Sequence, residues 1–195
     1  MKKLLITAFE PFGGETKNSS LLAVSALPDV IGEYELVKLT VPCVFGLAGE
    51  TVIAKAREIK PDAILSVGQN ETSNEVTPEY VGINLRNARI PDNAGNQPLR
   101  EPIDPDGPAA YFAALPVFEM DEAIKAAGIP SSVSYSAGTF VCNDLLYSIL
   151  HEFNGTGVRA GFIHLPLSEE QLRDGLPFME TSDAAKALIK AIEVL

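Results

Sequence analysis

The chain has 195 residues, 46% hydrophobic and 21% charged, and its mean hydropathy is close to neutral. A single domain of that length buries about 70% of its unfolded surface, so it needs neither a disulfide nor a metal to stay folded. Fifteen basic and 26 acidic residues leave a net charge of −11, which speaks against nucleic acid or an anionic membrane surface as partner, since neither would be attracted.

The first apolar run, Leu4–Phe9, stops at Glu10 and Pro11. A secretory core needs roughly 7–15 apolar residues and a membrane span roughly 18, so this run reads as a buried first strand, Leu4–Ala8. A helix follows over Ser19–Leu27, with Asn18 or Ser19 as its cap. Glu35–Val41 reads as strand and Phe45–Ile59 as an amphipathic helix. Ala63–Val67, AILSV, has the continuous apolar pattern of a strand buried on both faces. Val117–Ala127 is helical, with Gly128 as its stop. Ser132–Ser136 reads as strand, Val141–Phe153 as helix, Ala160–Leu165 as strand and Ser182–Leu195 as a closing helix. The alternation predicts one domain, residues 1–195, built as a three-layer α/β/α sandwich on a mixed, mostly parallel sheet. Between Gln69 and Pro116 the chain is rich in Asn, Pro and Asp, with only YVGINL strand-like. A loop-rich segment of that length inside a compact domain points to function.

Two cysteines and two histidines, without CxxC or HExxH, give no metal site, and the thiols suit a reducing cytoplasm. Cys142 stands where a strand-like run gives way to a helix, in SAGTFVCND. In the first turn, a thiolate would face free backbone N–H groups and the positive end of the helix dipole, lowering a thiol pKa of about 8.5. The alternative is a small buried apolar residue. His164, in GFIHLPL at the end of a strand, would reach the same sheet edge and serve as base. His151 lies nine residues beyond Cys142 on the helix, about 13 Å away, and is too far. A carboxylate should orient the imidazole, and Glu79, Glu71, Glu75 and Asp92 all qualify by spacing.

Five segments in order, ITAFEPFGG, GQ with EYVGIN, NARIPDNAGNQP, SAGTFVCN and GFIHLP, resemble the signatures of the pyroglutamyl peptidase I family of cysteine peptidases. The resemblance spans essentially the whole chain. It implies a cofactor-free exopeptidase that removes an N-terminal pyroglutamyl residue, with Cys142, His164 and Glu79 as the catalytic set. It implies Arg89, with the Cys142 backbone N–H, as oxyanion donors, and Phe9 and Phe12 as aromatic walls for the lactam ring. The Gln69 N–H and Val141 carbonyl would meet the lactam polar groups, while Asn18 would brace the first loop or cap its helix. Family members often form homotetramers, so self-association is expected.

The sequence also departs from the family. Its usual glycine-rich GQAGGR reads GQNETS here, residues 68–73, and Asn87, Tyr80 and Leu167 replace a customary Asp, Arg and Tyr. These changes leave the catalytic set intact and raise two rival readings: an amidase of altered specificity, or a silent protein that binds pyroglutamyl peptides. Cys43, in TVPCVFG, has no evident partner.

Overall fold

A computed structural model describes residues 1–195. Its central sheet is built from β1 (Lys2–Phe9), β2 (Val30–Ile31), β3 (Tyr34–Val41), β4 (Ala63–Gln69), β5 (Thr77–Glu79) and β8 (Arg159–Leu165), in the order β2-β3-β1-β4-β8-β5. The four inner strands run parallel, and β2 and β5 close the ends antiparallel. A short hairpin of β6 (Val81–Ile83) and β7 (Ala110–Phe112) stands apart, as does the pair β9 (Leu167–Ser168) and β10 (Phe178–Met179).

Strand alternation sorts the core into two halves. Leu4, Ile6 and Ala8 of β1, Leu65 and Val67 of β4, and Ile163 and Leu165 of β8 face α1 (Ser19–Ser25), α3 (Val117–Ala126) and α5 (Thr181–Glu193). Leu5, Phe9, Ile64, Ala160 and Phe162 face α2 (Leu47–Ile59) and α4 (Val141–Glu152). The result is the expected three-layer sandwich with a mixed, mostly parallel sheet.

Asn18 caps α1 as anticipated, its Oδ1 accepting from the Ser20 N–H at 2.9 Å. The Phe45–Ile59 helix starts two residues late, at Leu47, because Gly46 takes a positive φ of 75°. The strand expected at Ser132–Ser136 is absent as a regular element. That stretch lies at the sheet edge and makes only isolated bridges, Val76 with Ser131 and Glu79 with Ser134. Three short strands, β5, β6 and β7, lie instead inside the loop-rich segment. β6 falls within the strand-like YVGINL, whereas β5 and β7, three residues each, are too short for a hydrophobic period to emerge from the sequence.

Candidate active site

The carboxyl ends of the parallel strands β1, β4 and β8 open onto a cavity of about 560 Å³, where ligands settle in open α/β sheets. Phe9 ends β1, Gln69 ends β4, and His164 lies near the end of β8; all three line it. His164 and Phe162 alternate onto the α2/α4 face, and their rings stand 4.7 Å apart. Antiparallel pairing sets β5 beside β8, so Thr77 lies opposite His164 and Glu79 opposite Phe162. Glu79 Oε1 lies 2.7 Å from His164 Nδ1, with both residues buried. A carboxylate accepts only, so the shared proton sits on Nδ1 and leaves Nε2 with its lone pair directed away from Glu79.

Cys142, second residue of α4, enters the same cavity. Its sulfur comes close to β4 at Gly68, the residue in register with His164. A Cβ on Gly68 would stand 3.1 Å from Cys142 Sγ and 2.7 Å from Phe162 Cζ. Glycine here makes room for sulfur and ring, not for an unusual backbone angle.

The resting state of this sulfur differs from the expectation. Burial pushes the Cys142 thiol well above the ordinary range; Cys43 and Glu79 push the same way, and only its own backbone N–H opposes them. The helix mouth is therefore outweighed by enclosure in protein. The sulfur holds its proton at rest.

The remaining expected residues fall as follows. Phe12 lines the cavity, its ring 6.2 Å from that of Phe140. Asn18 lines it too, while capping α1 and donating through Nδ2 to the Glu10 carbonyl at 3.3 Å, so both anticipated roles coexist. The Gln69 side chain is turned to structural work, its Oε1 accepting from the Ser19 N–H and from Gln171 Nε2. The Val141 side chain is buried in the core, while its neighbours Phe140 and Cys142 line the cavity. Arg89 is exposed, lines the cavity and pairs with no carboxylate. Of the other carboxylates, Asp92 binds the Phe45, Ala94 and Asn96 backbone N–H groups, which hold its carboxyl below the usual range although burial works against them. His151 bonds Tyr111 at 2.9 Å, well apart from the cavity residues. Cys43 is a surprise: it too lines the cavity, buried, with its thiol pushed up to about 12 mainly by burial.

Sequence reasoning missed the residues that anchor the loop carrying Arg89. Asn143 and Asp144, next to Cys142, are fully buried. Asn143 pins β6 through the Ile83 N–H at 2.9 Å, the Ile83 carbonyl at 2.9 Å and the Leu85 carbonyl at 3.1 Å. Asp144 pairs Arg86 at 2.5 Å and accepts from the Gly46 N–H at 2.7 Å. Two consecutive polar residues in a helix otherwise set for burial were the available signal. In the departing GQNETS loop, Glu71 pairs with Arg173, which also pairs with Glu15. Charge ties this loop down where glycines were expected.

A cysteine lining the same cavity as a bonded imidazole–carboxylate pair, at the carboxyl ends of the parallel strands, suits a cysteine hydrolase of α/β architecture. The comparisons narrow that class. A family model described as pyroglutamyl peptidase matches residues 2–195. Pyrrolidone-carboxylate peptidase 1 of Caldanaerobacter subterraneus subsp. tengcongensis is 48% identical over 197 residues, covering 99% of this chain and 97% of that protein. The crystal structure of Bacillus amyloliquefaciens pyroglutamyl peptidase I superposes with a TM-score of 0.96 at 44% identity, covering 100% of this chain and 96% of that one. The pyrrolidone carboxyl peptidase from Thermococcus litoralis gives 0.94 at 36% identity, covering 100% and 93%. The chain belongs to the pyroglutamyl peptidase family.

Proposed function

We propose that this protein is a cysteine exopeptidase that removes an N-terminal pyroglutamyl residue from peptides, with Cys142 as nucleophile, His164 as base and acid, and Glu79 as its orienting carboxylate. The observation that carries the reading is the bonded pair Glu79–His164 on the wall that Cys142 enters.

The chemistry follows from the resting proton. As substrate fills the cavity, the Cys142 S–H proton passes to His164 Nε2 while sulfur bonds the pyroglutamyl carbonyl carbon. Negative charge moves to the carbonyl oxygen, where the Cys142 N–H and the unpaired Arg89 guanidinium are the donors; each is worth about 10²–10³ in rate. The C–N bond then breaks, and the leaving amine takes the proton from His164. Water, deprotonated by the same Nε2, hydrolyses the thioester and returns the proton to sulfur.

Phe9 and Phe12 offer apolar surface to the ring methylenes, and the Gln69 N–H and Val141 carbonyl are assigned to the lactam C=O and N–H. Leaving either lactam group unpaired in a dry pocket costs about 1–3 kcal/mol, which selects against proline. No cofactor enters this scheme. The two free thiols suit a reducing, cytoplasmic setting. The exposed aromatic residues Phe112, Phe118 and Tyr135, gathered around Tyr80, offer a surface for assembly as a homotetramer.

The test is turnover of a pyroglutamyl fluorogenic amide. Activity that iodoacetamide and Cys142→Ala both abolish, in a variant that still melts cooperatively, is the expected result. Full activity in Cys142→Ala would overturn the assignment. Calorimetric binding of pyroglutamate without turnover would favour a silent binding protein.

A further inference from the structure

Two buried polar atoms on β5 bond to nothing in the protein, and Asn87 Oδ1, on the cavity wall, is a third. Glu79 is 2% exposed; its Oε1 meets His164, but its Oε2 has no partner. Thr77 Oγ1 is likewise buried and unpartnered. Buried polar atoms are nearly always satisfied, and a bare carboxylate oxygen beside a reacting imidazole is a costly exception.

Chain geometry brings these two atoms onto one surface. Thr77 and Glu79 are two residues apart on β5, so their side chains stand on the same face. Pairing with β8 puts Thr77 directly opposite His164 and turns that face toward Phe162, α4 and Cys142. Two strand residues rise about 6.7 Å, a span that one water between a hydroxyl and a carboxylate can bridge. The two are chemically complementary, since a hydroxyl can donate and an ionised carboxylate only accepts.

We propose that Thr77 is a positioning residue for the catalytic pair: its hydroxyl, which makes no direct bond to the carboxylate, donates to Glu79 Oε2 through one bridging water and keeps the carboxylate aimed at His164 as the ring takes up its proton. This deepens the cysteine-peptidase reading and rests on it. His164 and Cys142 face the pair from β8 and α4; Cys43, Arg89, Glu15, Glu71 and Arg173 line the same cavity, with Arg173 paired to both glutamates; and α3 on the opposite face brings Asp121, paired with Lys125 at 2.7 Å. None of them is a hydrogen-bond partner of Glu79 Oε2.

Thr77→Val removes the hydroxyl at constant shape, and Thr77→Ser returns it. With a pyroglutamyl amide, Thr77→Val is expected to lower kcat roughly three- to tenfold with KM within about twofold. A carboxylate that loses a donor holds its proton more tightly, so the acid limb of the kcat/KM profile should move up by about half to one pH unit. Thr77→Ser should restore both. The pH profile of Cys142 alkylation by iodoacetamide repeats the comparison without substrate. A limb unmoved in Thr77→Val, or one that Thr77→Ser fails to restore, overturns the role of Thr77. A displaced alkylation profile in a protein that turns over no pyroglutamyl amide supports that role and counts instead against the substrate.

Discussion

Gly68 tests how tightly the fold fixes the sulfur. It lies on β4 in register with His164, on the strand face turned toward α4. Adding one methyl group there would set a carbon 2.7 Å from Phe162 Cζ, 2.9 Å from Phe162 Cε1 and 3.1 Å from Cys142 Sγ. Ordinary carbon contacts begin at about 3.5 Å, so ring and strand must part by roughly 0.8 Å. Phe162 is 1% exposed and packs against Phe9 on one side and His164 on the other, so it has no free space to enter. Overpacking of this kind typically costs about 1–3 kcal/mol, or roughly 2–4 °C in Tm per kcal/mol for a chain of this size. Catalysis should suffer more, because a misplacement near 1 Å costs about 10²-fold in rate. Gly68→Ala should therefore stay folded, melt a few degrees lower and lose about two orders of magnitude in kcat/KM on a pyroglutamyl amide. Wild-type kcat/KM in a variant with the expected drop in Tm would refute the claim that β4 sets the position of the sulfur.

Three further outcomes are expected. The Cys43 thiol is raised from 9.0 to about 12 in the folded chain, so the folded state holds that proton more tightly than the unfolded one. Its contribution to stability is complete below pH 9.0 and is lost as pH climbs toward about 12, so Cys43→Ala should lessen the alkaline loss of Tm while turnover at neutral pH stays near wild type. Arg89→Ala should lower kcat by about 10²–10³ with the melting temperature unchanged, since Arg89 is exposed and unpaired; an unaltered kcat would remove it from the oxyanion site. Asn143→Ala strands the Ile83 N–H and the Ile83 and Leu85 carbonyls, at a cost of about 1–3 kcal/mol, readable by thermal melting; an unchanged Tm would show that β6 is held by other contacts.

What the sequence made legible divides along a physical line. Long elements could be read off it, because burial against a sheet imposes a pattern on them: β1 and β4 as apolar runs, α2 as an amphipathic stretch, α4 and α5 as helices. Asn18 and Gly128 announced a helix start and a helix end through their own chemistry. The elements that complete the site carry no such mark. Thr77–Glu79 is three residues with a central proline, and only an antiparallel pairing with a strand some eighty-five residues later makes it part of the sheet. Ser132–Ser136 misled in the opposite direction: its alternation suits a strand, but at the sheet edge it finds only isolated bridges to β5.

The same line explains the error about Cys142. From the sequence, a cysteine in the first turn of a helix sees a dipole and free N–H groups, both favouring the anion. What it cannot show is how much protein surrounds the sulfur, and that depends on α4 lying across Gly68, with Cys43 brought to the same wall by the loop after β3. Enclosure outweighs the dipole because taking a charge out of water costs more than one helix end returns. The consequence for catalysis is specific. Glu79 cannot help by holding a thiolate in the resting site, since its charge pushes the Cys142 proton on. In the proposed mechanism its charge helps each time a proton has moved to His164, from sulfur and later from water, when it lies 2.7 Å from a newly formed imidazolium. That stabilisation falls on the chemical steps and not on the resting site, which is the condition for it to raise kcat and not merely to tighten binding.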